Sequence, residues 1–162
     1  MGVPFKTIVA YVDGSEDALS AIMYAILLAQ QNDAKLIAVS VVNTKALNEL
    51  VHAGIFVDVE RNQYQKELQD DTDRYLRHAQ RLAAQKHVEV EAVKLEGTVH
   101  AEVTKLLKER GADLLVIGGV TQIRSRREEL ASETDRMMRT SPCPVLVVKD
   151  DEDVWQAFDS MR

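Results

Sequence analysis

Cysteine is almost missing from this chain. The single one, Cys143, excludes an intrachain disulfide framework and any CxxC metal or redox motif. Long apolar runs are missing too: none approaches the ~20 residues of a membrane helix. No stretch near the start joins a basic region, an apolar region and a small-residue cleavage site. Positive charge is in deficit, with 20 Lys+Arg against 26 Asp+Glu and a net charge of −6. Such a chain has no overall field to steer it onto DNA, RNA or an anionic membrane, so neither nucleic-acid binding nor membrane insertion is expected. The four histidines, His52, His78, His87 and His100, are scattered without HExxH-like spacing, which predicts surface histidines and no metal site. There is no internal repeat and no low-complexity linker. What remains is 162 residues, 46% apolar and 28% charged, the balance of an ordinary globular domain. The expected class is a soluble, cytoplasmic protein with one main domain.

What is present alternates. Thr7–Tyr11 is a short β-branched run that stops at Asp13–Gly14–Ser15, a turn signal. Leu19, Ile22, Met23, Ile26 and Leu27 then recur at helical spacing, with Asp13 or Ser15 placed to cap that helix. Lys35–Val42 is a near-continuous apolar strand, of the kind covered on both faces in parallel sheets. Within 43–60, Leu47, Leu50 and Val51 suggest a little helix, followed by the apolar stretch Gly54–Val57. Arg61–Lys86 lacks Pro and Gly and predicts one long helix, and His87–Leu95 predicts a third strand. A helix capped by Thr98 and ended by Gly111 leads to the strand Leu114–Ile117, which stops at Gly118–Gly119. A helix within Glu128–Thr140, a break at Pro142–Cys143–Pro144 and a fifth strand, Val145–Val148, complete the pattern. Five strands alternating with helices predict an α/β fold with a parallel sheet between two helical layers. In a doubly wound sheet, ligands bind outside the carboxyl ends of the strands, which directs attention to the loops after Tyr11, Val42, Leu95 and Ile117.

Catalytic constellations are lacking. Ser15 in Asp-Gly-Ser does not sit in a GxSxG elbow and reads as an N-cap. Cys143, between two prolines at the start of a strand, reads as an inert small core residue. No residue is identifiable as a catalytic base, so no enzyme is expected. The loop after the fourth strand offers more. It holds Gly118 and Gly119 at a strand end, then Arg124, Arg126 and Arg127, with Ser132 as a possible cap. It matches neither a Walker A loop nor GxGxxG. Two readings stand at the level of the residues. One is an anion site made of backbone N–H groups and arginines. The other is a solvated helix start, in which Ser125 and Glu128 form a capping box.

Three segments carry a family resemblance. Ile8–Glu16 (IVAYVDGSE), Gly111–Gly118 (GADLLVIG) and Ser141–Val148 (SPCPVLVV) resemble, in that order, signatures of the universal stress protein family, and the resemblance spans residues 4–149. It implies a Rossmann-like, adenine nucleotide alpha hydrolase-like domain: a three-layer, doubly wound, five-stranded parallel sheet of order 3-2-1-4-5. It also implies a homodimer paired through the last strand, here Val145, Leu146, Val147 and Val148, an apolar edge that needs covering. ATP-binding members, which take ATP with Mg, carry G-x2-G-x9-G-[ST]. The four marker positions fall on Gly118, Thr121, Ala131 and Ser132, so two expected glycines are replaced and each replacement brings a Cβ toward the phosphates. Arg124, Arg126 and Arg127 are the compensating charges. On the base side, the resemblance assigns Asp13 and the backbone of Val41 to the adenine, with Gly119 beside the phosphates. The expectation is a non-enzymatic homodimer acting in stress response or through an unidentified protein partner, its nucleotide loop degenerate. The alternative is an ATP-binding, nucleotide-sensing module, with slow ATP hydrolysis as a minor option.

The charge is unevenly placed. From position 150 onward there are five acidic residues and one basic, a balance of −4, which leaves the first 149 residues at −2. The chain is therefore read as a domain over 1–149 and an acidic tail over 150–162. In that tail, Trp155 and Phe158, three apart, suggest a short helix docking on the domain or on a dimer mate.

Overall fold

The computed structural model of the chain describes residues 5–54, 58–119, 133–149 and 152–160. The strands are β1 (Thr7–Tyr11), β2 (Lys35–Val42), β3 (Val90–Glu96), β4 (Leu114–Gly118) and β5 (Val145–Val148). The helices are α1 (Glu16–Asn32), α2 (Thr44–His52), α3 (Asp58–Gln85), α4 (Val99–Arg110), α5 (Glu133–Thr140) and α6 (Glu152–Ser160). All five strands are parallel, in the order β3-β2-β1-β4-β5. β1 is central, with Val9 in register with Ile37 on one side and Leu115 on the other.

Strand alternation splits the core into two layers. Ile8, Ala10, Val12, Leu36, Ala38, Leu114 and Val116 face α1 and α3. Val9, Ile37, Val39, Val41, Leu115 and Ile117 face the apolar side of α4 and Met137 of α5. Burial on both faces is why the strands read as continuous apolar runs. No helix among the described residues is long and apolar enough to cross a membrane.

Helix ends explain the boundaries. α1 begins where the Ser15 Oγ accepts from the Ala18 N–H at 3.1 Å. Asp13 Oδ1 in turn accepts from the Ser15 N–H (2.8 Å) and hydroxyl (2.6 Å), so both candidate caps are used, in series. α3 runs longer than expected at its start, and its end consumes part of the expected third strand. His87 takes a left-handed conformation, φ 58°, and the Val88 N–H returns to the Ala83 carbonyl at 2.9 Å. His87 and Val88 therefore close the helix, and β3 begins only at Val90. Thr98 is likewise not a side-chain cap for α4; a residue from elsewhere does that work, as described below. Cys143 is half-buried and lies before β5 rather than in it.

Past β5 the chain folds back as α6 onto α1. Phe158 is 2% exposed and joins the α1–α3 core, with Lys86 Nζ 4.8 Å from its ring centre. The Trp155 indole N–H donates to Ser20 Oγ at 3.0 Å. The acidic segment's helix is thus seated on its own chain.

Candidate functional site

The sheet grows from β1 toward β2 and β3 in one direction and toward β4 and β5 in the other, so the connections diverge above the β1–β4 pair. That divergence makes a crevice at the carboxyl ends of the strands, the place where doubly wound sheets hold ligands. Asp13, Val41, Gly118 and Gly119 all lie there. Thr121, Arg124, Arg126, Arg127, Ala131 and Ser132 lie outside the described residues, as does the Ser125–Glu128 pair.

The β2 side offers peptide groups. The β1–β2 ladder ends where the Val12 N–H donates to the Val39 carbonyl at 2.9 Å. The Gly97 N–H donates to the Val42 carbonyl on the opposite edge of β2 at 3.0 Å. Peptide groups alternate sides along a parallel strand, so those of Val41 turn toward the space that β1 has left beside Asp13. Asp13 itself is engaged through Oδ1 in the Ser15 turn.

The β4 side is different. A Cβ on Gly118 would stand 2.4 Å from the Asp17 carbonyl carbon, 2.5 Å from its oxygen and 2.8 Å from the Ala18 nitrogen. Gly118 is glycine because the first turn of α1 presses on β4 there. Gly119 donates its N–H to the Val148 carbonyl at 2.8 Å, extending the ladder with β5. A Cβ on it would meet nothing closer than 3.5 Å. Neither glycine has positive φ. The fold accounts for the missing side chain at Gly118; at Gly119 it engages only the N–H, which is already spent.

Three further residues gather on the α4 side of the crevice. The Glu133 carboxylate accepts from the backbone N–H of His100 and contacts its Nδ1, both at 2.9 Å. Glu133 thereby caps the first turn of α4, the position Thr98 leaves open, with a charge suited to the positive helix end. Partial burial opposes its ionisation, but the hydrogen bonds from His100 outweigh that and hold the carboxyl below its usual range. Tyr11, at the end of β1, points to the same side. Burial pushes its phenol well above the usual range, and the Asp13 and Glu133 carboxylates add to the shift. Strand alternation from Val9 places Tyr11 on this face and was legible in the sequence. The pairing of His100 with Glu133 had no local signal, because 33 positions separate them. Among the described residues no group of His, Cys, Asp and Glu is placed to hold a metal ion.

β5 is the sheet edge next to β4. Val145 and Leu146 are half-buried, Val147 is 38% exposed and Val148 is buried.

A parallel sheet of order 3-2-1-4-5 with a crevice at its switch point defines a Rossmann-like, doubly wound α/β domain. The chain belongs to the universal stress protein family, whose model matches residues 4–149. It is similar to universal stress protein MJ0531 of Methanocaldococcus jannaschii, 29% identical over 145 residues that cover 90% of this chain and 82% of that protein. It is equally similar to universal stress protein YxiE of Bacillus subtilis, 29% identical over 153 residues, 90% of this chain and 99% of the other. Among solved structures it resembles UspA from Lactobacillus plantarum, with a TM-score of 0.72 at 21% identity over 91% of this chain and 99% of that one. It also resembles a universal stress protein in complex with cAMP (TM-score 0.66, 24% identity, 92% and 100% covered). An Arabidopsis thaliana family member with AMP bound is similar as well (TM-score 0.65, 15% identity, 91% and 94% covered). At these identities the structural likeness is one of fold.

Proposed function

We propose that this is a non-enzymatic universal stress protein that works as a homodimer, in stress response or by regulating a protein partner, and that its crevice does not retain ATP. One observation carries this reading: both glycines of the described part of the loop are committed to the scaffold, Gly118 to α1 and Gly119 to β5. Thr121 and Ala131, where further glycines are expected, add Cβ atoms, and Glu133, directly after Ser132 in the chain, brings like charge toward a triphosphate. The homodimer rests on β5, whose outer edge is unpaired among the described residues and carries the exposed Val147. Titration calorimetry with Mg-ATP tests the first part. No heat of binding at micromolar concentrations is expected, and a low-micromolar dissociation constant overturns it.

A second reading is favoured by the Val41 peptide groups together with the fold neighbours that hold cAMP and AMP. In it, the crevice keeps the base side of a nucleotide site while the phosphate side is weakened, which suits a monophosphate better than a triphosphate. Protein purified from cells and heat-denatured then releases adenosine monophosphate or its cyclic form; a supernatant free of adenine nucleotide rejects this reading.

A further inference from the structure

α3 has two halves of opposite character. Residues 58–73 hold six acidic residues against two basic, whereas 74–88 hold no acidic residue at all. Arg74, Arg77, His78 and Arg81 fall in this second half of the helix. Cations are favoured near a helix carboxyl end by the helix dipole, but that effect fades within the last turn. The last turn of α3 contains no basic residue, so the dipole does not explain a cluster placed earlier. Arg74 pairs with Asp71. Arg77 and Arg81 have no ion-pair partner among the described residues.

Arg74, His78 and Arg81 line one wall of a cleft of about 250 Å³ between α3 and α1. Its floor is apolar, made by Val12, Ala18, Leu19, Ile22 and Ala79. Its end is the β1–α1 turn, where Tyr75 lies so close that a Cβ on Gly14 would stand 2.7 Å from the phenol oxygen. The facing helix α1 carries charge only at Glu16 and Asp17, and the one acid lining the cleft, Asp13, is already engaged by Ser15. The cleft opens on the Val12 side of the sheet, while Tyr11, Glu133 and His100 stand on the other. It is smaller than the ~300–1,000 Å³ of pockets that take drug-sized ligands, which favours a ligand smaller than a whole nucleotide.

We propose that this α1–α3 cleft is a second binding site, for a small amphipathic organic anion. The ligand's apolar body lies on the Leu19–Ile22–Ala79 floor, and a single carboxylate or phosphate faces Arg74, Arg81 and His78. Of the residues placed in the crevice only Asp13 also lines this cleft, and the proposal does not rest on nucleotide binding there.

The test is a ¹H–¹⁵N correlation titration of the full chain with phenyl phosphate and, separately, with 3-phenylpropionate. Saturable shifts are expected at Ser15, Ala18, His78 and Ala79. The stronger of the two ligands assigns the source as a phosphate ester or a carboxylic acid. R74Q/R81Q, at exposed positions, should weaken binding by about tenfold or more, because charge-assisted hydrogen bonds are lost, while K105Q on α4 leaves it unchanged. The proposal fails if neither compound shifts these amides, if R74Q/R81Q binds as tightly as the parent, or if benzyl alcohol binds equally well. An ATP titration in parallel reports on Val41 and His100, so failure of the nucleotide reading and failure of this one are separately visible.

Discussion

Gly118→Ala should destabilise the domain far more than the same change one residue later, and the comparison separates a glycine whose missing side chain the scaffold needs from one whose missing side chain it does not. At position 118 the added carbon meets three backbone atoms at 2.4, 2.5 and 2.8 Å, in Asp17 and Ala18. None can rotate away as a side chain does, so the first turn of α1 must move off β4. That turn is held by the Ser15 and Asp13 caps. Overpacking costs about 1–3 kcal/mol when side chains can adjust, so about 3 kcal/mol is expected where they cannot. In a domain of this size that corresponds to a melting temperature lower by about 6–12 °C. Gly119→Ala has its nearest neighbour at 3.5 Å and keeps its N–H bond to Val148, so it should stay within about 0.5 kcal/mol of the parent. Gly14→Ala falls between, at about 1 kcal/mol, because the neighbour at 2.7 Å is the end of the Tyr75 side chain, which can pivot. Urea denaturation of the three variants, read at constant m-value, measures the ranking. If Gly118→Ala is within about 0.5 kcal/mol of the parent, or Gly119→Ala is equally damaging, the scaffold account of Gly118 is wrong.

Glu133→Ala removes the cap of α4 and should cost about 1–2 kcal/mol. The Glu133 carboxyl is held below its ordinary 4.5 by the His100 bonds working against burial, so its contribution is full above that pH and disappears as pH falls through the lowered value. A parent-minus-variant stability difference that does not shrink in acid refutes this assignment. Phe158→Ala should release α6 from α1, with a loss of about 3 kcal/mol or of the whole docking free energy if that is smaller. The only tryptophan, Trp155, sits on the same helix, so its emission should shift to the red, and an unchanged spectrum counts against docking in solution. Val147→Lys at the exposed β5 edge should convert a dimer to a monomer in size-exclusion chromatography with light scattering, at a stability cost within about 0.5 kcal/mol. A dimer that survives this change pairs elsewhere.

The strands were legible because each is a short apolar run between turn signals, and burial on both faces leaves no alternation to mistake for something else. Their spatial order was not, since Leu114–Gly118 pairs with Thr7–Tyr11 across a separation that no periodicity encodes; it came from the family resemblance. His87 shows where pattern misleads. Val88, Val90 and Val93 extend a strand-like series backward, yet a left-handed residue at 87 assigns the first of them to the helix end. Thr98 shows a second limit: it had the right type and place for a cap, but a carboxylate 35 positions later takes the bond. The strand ends directed attention to the loops that follow Tyr11 and Val42, and the assignment of Asp13 and Val41 to a base came from the family resemblance; the His100–Glu133 pair depended on α4 and α5 meeting in space.

The residues that mark the family are largely the ones that hold its scaffold. Asp13 and Ser15 cap α1, and Gly14 makes room for Tyr75. Asp113 accepts from the Lys6 and Thr7 N–H groups at 2.8 and 2.9 Å and donates its own N–H to the Thr7 carbonyl, closing the β1–β4 start; those hydrogen bonds lower its carboxyl pKa. Gly118 admits α1, and Ser141 Oγ both donates to the Cys143 carbonyl and accepts from its N–H ahead of β5. A chain can therefore keep every one of these motifs for folding while its ligand changes or is lost. Family membership is strong grounds for the architecture and weak grounds for ATP. The discriminating chemistry is to be sought outside these contacts: in the residue types at Thr121, Ala131 and the arginines between them, in the Glu133 carboxylate seated at α4, and in the cationic side of α3.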